Sequence, residues 1–363
     1  MADRCLRTSA ISRRDLVKAG TAAGVGITLF GAAGLRRSGL AFQQSYRIAF
    51  IQGVIGDNFY ITMNCGAQAK ATELGNVTVE TQGPEKFDQT LQTPILNAVV
   101  QSKPDAIMIA PNDAQGMIAP IKAAIDAGIP VLCVDTTINS DIQLANIATD
   151  NEEGGRLAAR GLAEAIGKKG KVFVVNVKPG ISTTDLRGKG FEEEIANYPD
   201  IEYLGQEYCN DDANVAAQIV SARLQSDPDL SGIFGTNLFA AQGSASAIRQ
   251  AGKTGDVKIV GFDAGPTQVQ DLKSGAADLL IAQHPGDIGE SAVQLLHDYL
   301  ANGTKPENTN LVTGATIVTR DNIDDPDVAR YLYVADCANY KLSNATPIPA
   351  APAASPVGAT PTA

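Results

Sequence analysis

The chain has 363 residues, with 40 acidic side chains against 29 basic ones and a formal net charge of −11. That balance repels phosphate backbones and anionic lipid, which argues against nucleic acid or a membrane surface as partner. The length is enough for two domains with full cores, and the absence of Trp removes the strongest stacking side chain from any ligand site.

The first element in chain order is Ser12-Arg13-Arg14-Asp15-Leu16-Val17-Lys18, followed by a small, apolar run over residues 19–35. Gly39-Leu40-Ala41 then places small residues where a signal peptidase reads. The pattern is that of a twin-arginine export signal over residues 1–41, engaging the twin-arginine translocase. The competing reading is an uncleaved anchor. The run falls short of the roughly 18 residues that span a bilayer, and Ala and Gly dilute it. No Cys follows it, as a lipoprotein would require. Removing residues 1–41 takes away seven basic and two acidic groups and moves the net charge from −11 to −16. The expected location is periplasmic or at the cell surface.

From Tyr46 onward, short apolar runs alternate with helical periodicities. Runs at 48–51, 77–80, 106–110, 131–134, 172–177, 233–235, 257–262 and 279–282 read as buried parallel strands. Helices are expected over 113–127, 151–166, 184–198, 212–224 and 287–300. In the first of these, Met117, Ile118, Ile121, Ala124 and Ile125 share one face, and Gly128 and Pro130 end it. Alternating β and α implies open parallel sheets with right-handed crossovers. Two sheets of five or six strands fit the length better than one of ten, with the break near 146–150. Residues 346–363 are rich in Pro, Ala and Thr and read as a disordered tail.

Cys65, Cys133, Cys209 and Cys337 remain after the signal. Their spacing fits no zinc pattern. Cys133 lies in an apolar run and reads as a buried small hydrophobe. One disulfide is compatible with export, but spacing chooses no pair.

Ligands of parallel sheets bind outside the carboxyl ends of the strands. There the chain places Asp57-Asn58-Phe59-Tyr60, Pro111-Asn112-Asp113, Asp135-Thr136, then Ser182, Asp185 and Arg187, then Thr236-Asn237-Leu238-Phe239, Asp263 and Gln283. Carboxylates, amides and a guanidinium beside flat rings suit a polyhydroxylated ligand, because charged acceptors bind hydroxyls at about 1.5–3 kcal/mol each. Asp113 and Asp212 are more simply helix N-caps.

The segment 47–68 with Asp57-Asn58-Phe59-Tyr60 resembles the opening of the ribose-binding-protein family of ABC importers. So do Ile129-Pro130-Val131 through Asp135, Ile147-Ala148-Thr149-Asp150-Asn151 with Gly154-Gly155, Arg187-Gly188-Lys189-Gly190-Phe191, Val260-Gly261-Phe262-Asp263, and Ile281-Ala282-Gln283 with Ile288-Gly289. The ordered set covers nearly all of residues 47–318.

The resemblance implies two Rossmann-like lobes of parallel β-sheet flanked by helices, joined by a three-strand hinge. The expected lobes are 46–148 with 284–309, and 149–283 with 310–340. It implies Phe59 and Tyr60 as stacking rings, and Asp57, Asp135, Asn237, Asp263 and Gln283 as hydroxyl partners. Arg187 and Phe239 complete the expected ligand set. The departures are Thr136 and Asp185, where ribose binders carry Arg, and they point to another pentose, hexose or polyol.

The implied function is capture of a small sugar or polyol by hinge closure and delivery to an ABC importer permease, as a monomer. The same fold can instead present its ligand to a chemoreceptor or signalling receptor. A carbohydrate-processing enzyme is the rival from another class. The chain carries no G-x-S-x-G elbow, H-E-x-x-H or P-loop, and Gly188-Lys189-Gly190 lacks the third Gly of a dinucleotide fingerprint. No catalytic residue, metal site or cofactor is expected. Only His284 and His297 exist, and His284 stands at the expected hinge as a minor ligand contact. An N-terminal repressor module would need a basic helix-turn-helix, where this chain has the export motif.

Overall fold

The computed structural model describes residues 44–338, 340–343 and the backbone of 348–349. The expected export signal and most of the expected disordered tail lie outside the described residues. No helix among the described residues is long and apolar enough to cross a membrane.

The first lobe starts with β1 (Tyr46–Ile51), α1 (Asn58–Leu74), β2 (Val77–Gln82), α2 (Gln89–Ser102), β3 (Ala106–Ile109), α3 (Ile118–Asp126), β4 (Val131–Val134) and β5 (Asn146–Thr149). The second contains α4 (Asn151–Ala165), β6 (Gly170–Asn176), α5 (Ser182–Ile195), β7 (Ile201–Tyr208), α6 (Ala213–Ser226), β8 (Leu230–Gly235), α7 (Leu238–Gln250), β9 (Lys258–Phe262), α8 (Pro266–Ser274) and β10 (Leu279–Gln283). The chain then returns through α9 (Pro285–Asn302) and β11 (Asn310–Thr313), crosses again to β12 (Ala315–Val318) and α10 (Pro326–Ala329), and ends its described course at β13 (Ile348–Pro349).

The first sheet runs β13-β11-β5-β4-β3-β1-β2 and the second β12-β10-β9-β8-β6-β7. Within each, β1 to β5 and β6 to β10 follow the same order, second-first-third-fourth-fifth. Among the described residues only β12 and β13 are antiparallel to their neighbours. The fold is therefore the expected pair of doubly wound α/β lobes. Helix starts are set by side-chain caps: Asp57, Asp88, Asp150, Asp212 and Asn237 each accept from a backbone N–H in the following first turn, which satisfies otherwise orphaned donors.

Helices cover both faces of each sheet. Ile107, Ile109, Ile121 and Val131 belong to the core between the first sheet and α2 and α3. On the second sheet, Phe191 of α5 stacks on Phe234 of β8 at 5.1 Å, above Val172, Val174 and Phe262. Burying each such ring contributes roughly 1.5–3 kcal/mol. Helix pairs in both lobes meet backbone to backbone. A Cβ on Gly66 of α1 would lie 2.2 Å from the Gly286 carbonyl oxygen of α9, and one on Gly155 of α4 would lie 2.1 Å from the Arg187 carbonyl oxygen of α5.

All eight strands read from apolar runs are present. β7 is not apolar enough to stand out, because it alternates half-buried and exposed residues along an edge. The helix expected over 113–127 is shorter, since Asp113 closes a turn of its own by accepting from Gln115 N and Gly116 N. The expected lobe boundaries need correction at the carboxyl end. Residues 310–313 pair with β5 in the first sheet, not the second, because β5 otherwise presents an open edge. Ile348–Pro349, expected in the tail, pairs in turn with β11.

Three crossovers join the lobes, at Asp150, His284 and Gly314, and they touch one another. Asp150 N donates to Thr313 O at 3.4 Å, and the His284 ring lies 2.9 Å from Thr316 Oγ1 through Nε2. Beyond α10 the chain crosses once more. Tyr333 N donates to Ala264 O in the second lobe, and Val334 N donates to Thr62 Oγ1 in the first. A disulfide then joins Cys337 to Cys65 of α1, while Cys133 and Cys209 are free and buried.

Candidate functional site

The carboxyl ends of both sheets face one cleft. It holds about 430 Å³ not filled by protein atoms, part of it open to solvent. Asp57, Phe59, Tyr60 and Asp135 line it from the first lobe, and Arg187, Asn237, Asp263 and Gln283 from the second. Eight of the nine sequence-expected residues are thus brought together. Phe239 is not: Asn237 caps α7, which carries Phe239 to a neighbouring outer opening beside Lys178 and Asp211.

The two central carboxylates occupy equivalent places. Asp135 follows β4 and Asp263 follows β9, the fourth strand of each lobe. Both have left-handed backbone, φ 63° and 80°, a conformation Asp tolerates better than most residues. Each is pinned there by its N–H, Asp135 to Ile147 O and Asp263 to Ile281 O, both at 2.8 Å. The side chains are held as firmly. Tyr60 Oη donates to Asp135 Oδ2 at 2.7 Å. Gln283 Nε2 and Tyr333 Oη donate to Asp263 Oδ1 at 2.6 and 2.8 Å, and Gln283 Oε1 accepts from Thr149 Oγ1 at the hinge.

Arg187 is buried, with its guanidinium carbon 3.8 Å from the centre of the Phe262 ring. Its Nε donates to Asn151 Oδ1 and one Nη to Thr236 O, so it is fixed on the cleft wall as a planar cation. Asp185, where the resemblance implies a second Arg, is exposed outside the cleft and accepts from Gly180 N. His284, the expected minor contact, does not line the cleft; its ring stacks on Tyr331 at 3.5 Å. Burial, then the Arg330 charge, holds it down to about 4.

Sequence reasoning missed several cleft residues. Asp211 lies next to Asp212, which caps α6, and the adjacent pair disguises the one that faces the cleft. Its Oδ1 accepts from Asn237 Nδ2 at 2.6 Å. Phe87, Ile181, Thr183 and Thr184 also line the cleft, and Thr184 Oγ1 is buried with no partner among the described residues.

The site is strongly acidic. Four carboxylates, Asp57, Asp135, Asp211 and Asp263, share it with one guanidinium. Burial pushes Asp135 up to about 6 against the pull of Arg187 and the Tyr60 hydrogen bond. Burial also pushes Asp211 up to about 6 against the Asn237 hydrogen bond. Asp57, which caps α1, is held well above the usual carboxylate range by burial and then by the Asp263 charge. Such a wall accepts hydrogen bonds from a ligand rich in O–H donors and flat enough to lie against Phe59 and Phe87.

The lobes also bond directly across the cleft. Thr137 N donates to Ser182 Oγ at 3.0 Å, Ala114 N to Gly180 O at 3.1 Å, and Lys178 Nζ to Phe87 O at 3.0 Å. This is a closed arrangement.

Residues 48–305 match the periplasmic binding protein domain family. A solute-binding protein of an ABC transporter from Agrobacterium vitis, solved with α-D-tagatopyranose, is 46 % identical; the match covers 80 % of this chain and 100 % of that one, with a TM-score of 0.78. A carbohydrate transporter solute-binding protein from Agrobacterium radiobacter, in complex with D-arabinose, is 29 % identical over 80 % of this chain and 99 % of that one, with a TM-score of 0.76. The ribose import binding protein RbsB of Bacillus subtilis is 27 % identical over 269 residues, covering 74 % of this chain and 85 % of the relative. With its paired sheets, its crossovers and an interlobe cleft inside the matched region, the chain belongs to the periplasmic binding protein family.

Proposed function

We propose that this chain captures a small sugar or polyol outside the cytoplasm and delivers it to the permease of an ABC importer. The observation that carries this reading is the acidic, ring-lined cleft between two lobes whose edges already meet. The two solved relatives named above hold a ketohexose in pyranose form and a pentose, so a pyranose monosaccharide, D-tagatose first, is the leading ligand. The twin-arginine motif is the route of export, and the folded chain works as a monomer.

Capture is non-covalent. The moving bodies are residues 46–149 with 285–313, and residues 151–283 with 315–333, turning about Asp150, His284 and Gly314 and at the 333–334 crossing. In the closed state Asp57 and Asp135 accept ligand hydroxyls from one side and Asp211, Asn237 and Asp263 from the other. The ligand gains both sets of contacts only when the lobes meet, so its differential affinity shifts the population toward closure. The permease then reads the paired lobe surfaces.

A thermal-shift panel of pentoses, hexoses, polyols, amino acids and nucleosides tests this. A ligand at about 100 times its Kd adds roughly 2.7 kcal/mol of stability. The expected outcome is a shift with one sugar or polyol, recovered unchanged, that Asp135→Ala and Asp263→Ala abolish while remaining folded. No carbohydrate shift, or a hit confined to amino acids or nucleosides, overturns the reading.

A further inference from the structure

The segment after α10 is bound to both lobes within two consecutive residues. Tyr333 is buried behind the cleft residues Phe59, Asp263 and Gln283. Its N donates to Ala264 O at 3.0 Å, its Oη donates to Asp263 Oδ1 at 2.8 Å and accepts from Gln283 N at 3.2 Å, and its ring meets Phe59 edge-on at 5.8 Å. The next residue belongs to the other lobe: Val334 N donates to Thr62 Oγ1 at 2.9 Å, and Val334 O accepts from Asn58 Nδ2 at 3.1 Å. Cys337, exposed, is then bonded to Cys65, which is buried in α1.

Asn58, Phe59, Thr62 and Cys65 all lie on α1, the helix that opens with the cleft residues. The strap is therefore fastened to α1 from Val334 onward, while Tyr333, one residue earlier, sits on the second lobe against Ala264 and Asp263. Its hydroxyl and the Gln283 amide both occupy Asp263 Oδ1, which leaves Oδ2 without a protein donor among the described residues. Orienting a carboxylate through one oxygen so that the other is presented to a ligand is the work of a supporting group behind a binding site.

We propose that Tyr333 is a positioning residue for Asp263, and that the Cys65–Cys337 disulfide fixes the strap that carries it, so that ligand affinity depends on the oxidation state of this cysteine pair. The inference rests on the sugar-binding reading above. An external dithiol supplies the reductant. Its thiolate attacks the exposed Cys337 sulfur, Cys65 leaves and takes a proton, and the second thiolate closes the reductant into its own cyclic disulfide and releases Cys337 as a thiol. Two electrons pass to the cysteines, and the anchor on α1 is lost.

The test is titration calorimetry on the purified protein with D-tagatose, or with the panel sugar giving the largest thermal shift if that is another, beside melting temperatures. Tyr333→Phe keeps the ring against Phe59 and removes the hydroxyl. It is expected to raise Kd about ten- to hundredfold, the worth of a hydrogen bond to a buried carboxylate. Dithiol treatment is expected to raise the wild-type Kd, to leave Cys337→Ser unchanged, and to add less than about twofold in Tyr333→Phe, because both perturbations remove one contact. A merely structural disulfide would lower the melting temperature and leave Kd alone. Wild-type affinity in Tyr333→Phe, or full additivity of the dithiol effect, overturns the inference while leaving the sugar-binding reading intact. Failure of every carbohydrate to bind the wild type overturns both.

Discussion

Asp211→Asn is expected to make the unliganded protein more stable while weakening it as a binder. Burial raises the Asp211 carboxyl from 3.8 to about 6. A shift of that size, at 1.36 kcal/mol per unit, is roughly 3 kcal/mol. The sign follows from proton binding. Between pH 3.8 and about 6 the folded chain holds a proton that the unfolded chain has released, so raising the pH through this window lowers stability. The cost is almost absent below pH 4 and complete above about 6.

Asn carries no charge and keeps an oxygen for Asn237 Nδ2. At pH 7.5 the variant should therefore gain up to about 3 kcal/mol. With about 2.1 cal/mol/K of unfolding entropy per residue over roughly 300 residues, the melting temperature should rise by about 5 °C. By pH 4.5 the gap should shrink to about a third, because wild-type Asp211 then largely carries its own proton. The ligand-induced shift should fall most above about pH 6, where the variant has lost an ionised acceptor. Scanning fluorimetry from pH 4.5 to 8, with and without sugar, checks each part. A variant no more stable than wild type at pH 7.5, or a gap that does not narrow on acidification, refutes the reasoning.

Ser182→Ala removes the acceptor of Thr137 N across the closed cleft. One hydrogen bond worth about 1 kcal/mol, present only on closure, should raise Kd about fivefold and leave the unliganded melting temperature unchanged; calorimetry showing wild-type Kd would remove that contact from the closing mechanism. Gly155→Ala would put a Cβ 2.1 Å from the Arg187 carbonyl oxygen. Separating α4 from α5 should cost about 1–3 kcal/mol and shift Arg187, so a lower melting temperature and weaker sugar binding should appear together; a fall in one without the other would show that Arg187 does not depend on this helix crossing.

Most parallel core strands were legible because a strand buried on both faces has no room for polar alternation; buried β5, with Asn146 and Thr149 at its ends, does not stand out as an apolar run. Ile107, Met108 and Ile109, or Ile259 and Val260, admit little else. β7 was not legible, since one of its edges faces solvent and its residues alternate accordingly. The site divides the same way. Asp135, Asp263 and Gln283 each end an unbroken apolar strand, where a polar side chain has few reasons to stand unless it faces a ligand. Asp211 stands three residues past the end of β7, beside a capping Asp. Nothing local connects Tyr333 with Asp263, 70 positions away, or Cys337 with Cys65, 272 positions away; only the closed fold brings them together.

The return of β11 to the outer edge of β5 sets the order in which a ribosome can let the molecule form. All five parallel strands of the second sheet have been synthesised by Gln283, whereas the first sheet waits for residues 310–313. The parallel part of the first sheet is thus completed after that of the second, by a contact bridging the whole inserted lobe, and contacts of that separation form slowly. A nascent chain arrested before residue 310 has every parallel strand of its second lobe and an open edge on its first.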